Sequence, residues 1–201
     1  MTDIVPQRAQ LQSSRLLLRA PKPADKQDRL SFGRDPEFRK MVGGDWRTCP
    51  PLSEGEVDRW YDEVEGDPLR WMIELDGRCV GTARLHSLDE ENRRARYAIG
   101  LFSPEHRGRG VGTEATRMVL CYAFDVLKLH RVDLRVLEFN ERAIACYEQC
   151  GFVREGIERE GALIAGEWQS DVLMSILEQE YHLVSENWTK PTLTIKKSAA
   201  S

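Results

Sequence analysis

Nowhere in this chain do 18 apolar residues run together, and its N-terminus has no basic stretch followed by an apolar one, so neither a membrane span nor a secretion signal is indicated. The expectation is a cytoplasmic protein with no membrane partner, in which the sequon Asn187-Trp188-Thr189 carries no meaning. No C-x-x-C pair occurs either. The five cysteines, Cys49, Cys79, Cys121, Cys146 and Cys150, are odd in number, which argues against a disulfide framework and for buried thiols. Cys146 and Cys150 stand one helical turn apart and could share a metal, but no nearby His completes a ligand set; packing is the preferred reading and no metal is expected. Excess positive charge is missing as well. A net charge of −4 gives no support for nucleic acid as a partner, and Arg93, Arg94 and Arg96, flanked by Asp89-Glu90-Glu91-Asn92 and a strand, suit a solvated hairpin. Repeats and low-complexity blocks are absent. What is present, 201 residues with 41% hydrophobic and 31% charged, suffices for one sizeable core. The organisation expected is a flexible N-terminus over 1–13, one domain over 14–185 and a loose C-terminal tail over 186–201.

Along the chain, Arg15 to Arg19 is expected as a strand ended by Pro21 and Pro23, and Ala24 to Arg34 as a helix stopped near Pro36. Glycine and proline punctuate a loop over 43–51. Ser53 with Glu56 forms a capping box for a helix reaching Glu65. Strands 70–75 and 78–85 flank Asp76-Gly77, a tight-hairpin signal, and the strand Tyr97 to Phe102 follows. Ala115, Met118, Val119, Tyr122 and Val126 lie on one helical stripe, read as core. Strands at 131–136, around 152–159 and at 167–177 complete the set.

The segment with chemistry in it is Arg107-Gly108-Arg109-Gly110-Val111-Gly112-Thr113, between the strand ending at Phe102 and the helix of that stripe. Alternate glycines free the backbone for positive φ and close approach, while the first N–H groups of a helix lack intrahelical partners and suit an anion. Two arginines add charge for a pyrophosphate. A Walker loop needs Gly-Lys-Ser or Gly-Lys-Thr, absent here, and a dinucleotide fingerprint spaces its glycines differently.

The remaining pattern, R-x-x-G-x-G on Arg107, Gly110 and Gly112, resembles the acetyl-CoA pyrophosphate loop of the GNAT superfamily of N-acetyltransferases. Asn140 to Phe152 is similar to that family's second signature, N-x-x-A-x-x-x-Y-x-x-x-G-F, carried by Asn140, Ala143, Tyr147, Gly151 and Phe152. These residues also make local sense, with Asn140 as an N-cap, Ala143 and Tyr147 on one face, and Gly151 ending the helix. Gly112 to Ala115, Leu129 to Val132 and Asn140 to Ala143 look most like the branch holding ribosomal-protein N-terminal and spermidine acetyltransferases. The resemblance spans about 70–177 and implies an α/β GNAT acyltransferase fold, a mixed and mostly antiparallel sheet flanked by helices.

It also implies acetyl-CoA as co-substrate and a primary amine, on a small molecule or a protein N-terminus, as acceptor; a homodimer is left open. Arg107, Gly108, Arg109, Gly110, Val111, Gly112 and Thr113 would hold the pyrophosphate. Leu101 and Phe102 would offer backbone groups to the pantetheine arm and carbonyl, with Asn140 and Ala143 nearby. For Asn140, helix capping and cofactor contact are both open. Tyr147 resembles the family's acid, since a phenol of pKa about 10 is protonated at neutral pH and can donate to the leaving thiolate; core packing is its other reading. The strand Arg94 to Ile99 lacks the glutamate that many members use as base. A water, or His86, Asp89 or Glu138, remains for that role, and the lack of a base favours an α-amine over a lysine-type amine. The rival is a catalytically silent acetyl-CoA-binding sensor or scaffold of the same fold.

Overall fold

The computed structural model describes residues 8–195. The N-terminal hairpin β1 (Ala9–Gln12) and β2 (Leu16–Arg19) leads into helices α1 (Asp25–Phe32), α2 (Pro36–Met41) and α3 (Glu54–Gly66). Strands β3 (Arg70–Leu75), β4 (Arg78–Asp89) and β5 (Arg94–Leu101) form a meander. A short 3-10 turn, Pro104–His106, precedes α4 (Val111–Cys121), which widens into a π-helical turn over Tyr122–Val126. Then come β6 (Arg131–Leu137), α5 (Glu141–Gln149), the long hairpin β7 (Val153–Ile164) and β8 (Glu167–Leu177), α6 (Glu178–Ser185) and β9 (Thr192–Ile195).

Among the described residues the strands make one nine-stranded sheet in the order β7-β8-β6-β5-β4-β3-β2-β1-β9. Only β5 and β6 pair in parallel, through Arg94↔Arg131, Ala95↔Val132 and Arg96↔Asp133. Beyond these the two strands separate. That split in mid-sheet is the feature that positions the site.

Period-two alternation gives the sheet two unlike faces. One carries Trp71, Ala83, Leu85, Tyr97 and Val132, all buried, beneath α4 and α5. Trp71 meets Tyr122 edge-on at 5.4 Å and Tyr97 meets Tyr147 at 6.3 Å. The ladder places Arg70, Arg84, Ala98, Arg135 and Asp171 on the opposite face, which α1, α2 and α3 cover only partly.

Both ends of the described chain are better ordered than the sequence suggests. Ala9 and Leu11 are fully buried, the Trp71 indole donates to the Ala9 carbonyl at 2.7 Å, and β1 pairs with β2 and β9. The expected loose segments 1–13 and 186–201 therefore give way to strand over 9–12 and 192–195, while 1–7 and 196–201 lie outside the described residues. Two four-residue strands are too short for periodicity to reveal; long-range pairing makes them. Trp188 packs on Tyr181 at 5.8 Å, and Lys190 pairs with Asp125 at 2.8 Å. A buried ion pair ties the front of the fold together. Arg19 meets Asp25 through two bonds of 2.8 and 2.7 Å and also bonds Glu74, with Arg19 5% and Asp25 1% exposed.

Helix α2 was not among the elements expected from the sequence. Its start is nonetheless written locally, with the Asp35 carboxylate accepting from Glu37 N–H at 3.0 Å and Pro36 at the first helical position.

Candidate active site

A cleft of about 1000 Å³ runs through the split between β5 and β6. Its lining comes from both faces of the sheet, Tyr97 and Tyr147 on one and Arg84 and Asp171 on the other, so two reactants can approach each other from opposite sides.

Strand β5 supplies backbone to the cleft in alternation. Phe102 N–H donates to Val80 O at 2.9 Å, toward β4. The peptide groups of the neighbouring residue, Leu101, therefore face the other way, where β6 has departed. Leu101 lines the cleft as expected. Phe102 does not: its N–H is engaged by β4 and its ring is buried against Phe32 and Trp60, so the structure turns away from the cleft the residue expected to offer backbone groups there. Gly100 is needed here because Phe38 of α2 packs on it; an added Cβ would lie 2.9 Å from Phe38 Cζ.

The glycine loop has the conformation that its composition predicts. Gly108 and Gly110 take φ of +73° and +76°, and Gly110 is the N-cap of α4. Gly108, Gly110, Gly112 and Thr113 line the cleft at the helix start, which leaves unpartnered N–H groups and the positive dipole end facing it. This is a fit for the pyrophosphate of acetyl-CoA. Val111 is instead buried in the core and Arg109 projects its side chain to solvent, so neither joins the lining.

Arg107 lines the cleft with its charge partly engaged. Its guanidinium, 8% exposed, bonds Asp35 and approaches Glu37 at 3.6 Å, clamping α2 to the loop. Its buried Nη1 has no hydrogen-bond partner, so beside the backbone groups of the loop Arg107 keeps one donor for an anion. Sequence reasoning missed Arg15. It donates to the Arg109 carbonyl at 3.1 Å, bonds Glu114 at 2.6 Å, and would stand 3.4 Å from a Cβ at Gly110.

On α5, Asn140 Oδ1 accepts from Ala143 N–H at 3.3 Å, the capping role, while its Nδ2 donates to Met41 O at 3.3 Å. Asn140 and Ala143 both line the cleft, so capping does not remove Asn140 from it. Tyr147 is buried between Tyr97 and Phe152 with ring separations of 6.3 and 5.7 Å. It lines the cleft, and among the described residues no group bonds its hydroxyl. Burial first, then Cys146 and Cys150, raise its pKa above that of an ordinary phenol, which keeps it protonated. Cys146 lines the cleft beside Thr113, with Sγ 3.3 Å from Thr113 Oγ1. Bonding to Cys150 and Thr113 pulls its thiol below the usual range despite burial.

The carboxylates considered for the base lie elsewhere. Asp89 is tied into its turn by Asn92 and Arg94, and neither His86 nor Glu138 lines the cleft. Asp171 does. It stands on β8 opposite Leu137, and burial, with Glu158 acting against Arg135, pushes its carboxyl above the usual range. A carboxylate directly before the apolar run Val172-Leu173-Met174 was the signal available in the sequence.

Three kinds of comparison bear on the family of this chain. The family model described as Acetyltransferase (GNAT) domain matches residues 15–153. The spermidine N(1)-acetyltransferase of Escherichia coli (strain K12) is 32% identical over 180 residues, covering 89% of this chain and 95% of that protein. A putative ribosomal N-acetyltransferase, YdaF of Bacillus subtilis (strain 168), is 31% identical over 156 residues, 76% of this chain and 78% of its own. The crystal structure of the Vibrio cholerae spermidine N-acetyltransferase in complex with CoA and spermine superposes with a TM-score of 0.69 at 29% identity, covering 85% of this chain and 99% of that one.

Proposed function

Because this chain belongs to the GNAT acetyltransferase family and is an N-acetyltransferase with acetyl-CoA as co-substrate, we propose that it acetylates a primary amine by direct attack, with Tyr147 protonating the departing thiolate. Bound acetyl-CoA supplies an activated acetyl group whose transfer leaves a thiolate needing one proton, while the attacking amine must lose one.

The single observation that carries the reading is the Tyr147 hydroxyl, open to the cleft and unbonded on a ring otherwise packed in the core. A purely structural tyrosine at this depth satisfies its hydroxyl within the protein, as Tyr97 does with Thr116 at 2.9 Å. Burial keeps Tyr147 protonated, the state a donor requires. Leu101 offers its peptide group where β5 is unpaired, and Gly108, Gly110, Gly112 and Thr113 offer the loop and helix start for the pyrophosphate. Asp171, a carboxylate that lines the cleft on the acceptor face and among the described residues has no ion pair of its own as Glu63 has with Arg70, receives the amine's proton; its raised pKa makes it a stronger base than an exposed aspartate. The proton lost at nitrogen and the proton gained at sulfur thus pass through separate groups on opposite walls. This arrangement supports an enzyme rather than a silent acetyl-CoA sensor, for which neither an open phenol nor a facing carboxylate is needed.

The test is Tyr147→Phe, assayed by CoA release over an amine panel. Acetyl-CoA binding should persist and turnover should fall on the order of a hundredfold to ten-thousandfold, with partial rescue by a thioester of a more acidic thiol. Undiminished turnover with chemistry limiting would return Tyr147 to a packing role.

A further inference from the structure

The acceptor side of the cleft carries a charge arrangement that amine acetylation alone does not explain. Arg70 on β3 and Arg84 on β4 are direct cross-strand partners on the same face, and both line the cleft. Like charges directly opposite each other destabilise a sheet. The pair is also poorly neutralised. Arg70 is 14% exposed, its Nε has no hydrogen-bond partner, and its ion pair is a 3.5 Å contact with Glu63, itself 69% exposed. Among the described residues Arg84 makes no hydrogen bond or ion pair. Burial first, and Arg84 next, lower the pKa of Arg70, as expected for a cation facing another.

Other cations around the cleft each meet a carboxylate more closely, although Arg107 Nη1 also lacks a hydrogen-bond partner. Arg135 bonds Glu158 at 2.6 Å, Arg142 reaches Glu37 at 3.3 Å and Arg107 is held by Asp35. The least compensated charge thus lies at one corner of the acceptor face, where Glu63 is the carboxylate that lines the cleft beside Arg70, away from Asp171 on the far side of the split.

Building on the amine-acetylation reading, we infer that this groove selects a primary amine that also bears an anionic group, a carboxylate or a phosphate, with Arg70 and Arg84 gripping the anion while the amine lies toward Asp171. The register gives the span. Arg84 faces Ala98, three residues before Leu101 on β5, so the anion lies up to about 10 Å along the strand from the acetyl-accepting end. A free α-amino acid holds its two groups too close for that. An N-terminal residue followed by an acidic side chain, or a short aminoalkyl phosphate, reaches. A polyamine would bring a second ammonium against two guanidinium groups, one unpaired and one held only by Glu63.

The experiment uses the full chain with CoA present and measures binding of Ala-Glu, Ala-Gln, 4-aminobutyl phosphate and spermidine by calorimetry, alongside CoA release from acetyl-CoA with each amine. The inference expects at least tenfold tighter binding, and tenfold higher kcat/KM, for one anionic amine over Ala-Gln and spermidine; which of the two anionic amines leads separates carboxylate from phosphate. Arg84→Gln should abolish that preference with acetyl-CoA affinity unchanged, and Arg84→Lys should keep part of it. Removal of one of two opposed cations should leave thermal stability equal or higher, so a folding failure is not anticipated; Arg70→Gln provides the second variant. Preference for spermidine, or a preference for the anionic amine that survives both glutamine variants, overturns the inference. Arginine-dependent binding without CoA release keeps the groove and rejects the amine-acetylation reading, whereas release with neutral amines that ignores both arginines does the reverse.

Discussion

Single alanine substitutions at the three loop glycines should have different outcomes, because the structure gives each glycine a different reason to be there. Gly108 and Gly110 sit at φ of +73° and +76°, where an L-residue costs roughly 1–2 kcal/mol. A Cβ at Gly108 would meet nothing within 4 Å, so strain is its whole cost, whereas at Gly110 it would stand 3.4 Å from Arg15 Nη2 and push the arginine aside. Gly112 lies within α4 without a positive φ, and its Cβ would make ordinary contact with Cys146 Sγ at 3.7 Å. Alanine there should be neutral or stabilising by up to about 1 kcal/mol. For a protein of this size each kcal/mol moves Tm by about 2–4 °C, so Gly108→Ala and Gly110→Ala should melt roughly 2–8 °C below the parent and Gly112→Ala at or above it. Thermal denaturation with and without acetyl-CoA separates fold from site. At a hundred times its Kd the ligand adds about 2.7 kcal/mol, a rise of roughly 5–11 °C. Gly110→Ala should lose most of that rise, because its peptide opens the helix N-terminus, and Gly112→Ala should keep most of it. Equal destabilisation of Gly110→Ala and Gly112→Ala, or a full ligand response from Gly110→Ala, would refute the reasoning.

Asp25→Asn leaves the Arg19 cation buried beside Glu74 alone and should cost about 3–5 kcal/mol, read as a lowered midpoint in urea with an unchanged slope; a loss below 1 kcal/mol would show that the pair is not holding the front of the fold. Cys146, with its thiol held below the usual range, should react with iodoacetamide along a pH profile whose inflection lies under the ordinary thiol value of about 8.5, and acetyl-CoA should slow the reaction. Equal labelling with and without acetyl-CoA would remove Cys146 from the cofactor's path. Asp171→Asn should lower kcat/KM most where the carboxylate is ionised and the amine still protonated, with the loss shrinking as pH falls through the raised carboxyl pKa, and should leave acetyl-CoA affinity alone; a uniform loss at all pH would make Asp171 structural.

Local chemistry was legible in the sequence and long-range chemistry was not. The Asp76-Gly77 hairpin, the Ser53 capping box and the Asn140 cap all follow from residues within a few positions of each other, and all are present. The glycine loop was likewise readable, since positive φ at Gly108 and Gly110 is a property of backbone and residue type. The occupation of Arg107 by Asp35 depends on a contact 72 residues apart, and the opposition of Arg70 to Arg84 on strand register. Neither is encoded in a motif. Strands β1 and β9 fall in the same class, because each acquires its partner only when the sheet assembles.

The separation of β5 from β6 after Arg96 and Asp133 has a further consequence for how the protein guards itself. An intact open sheet has two edges; this one has two more, facing each other inside the molecule. Unpaired edges ordinarily invite another polypeptide and are hazards for aggregation. Here Phe38, Met41 and Val42 on one side and Tyr147 on the other crowd the mouth of the opening. A strand bearing alternating side chains has little room to enter, while a thin unbranched arm ending in a thioester can lie along the exposed peptides. The same gap that admits the co-substrate is thus lined by side chains that stand against the docking of a further strand, while a slender arm or a chain end can still lie along it.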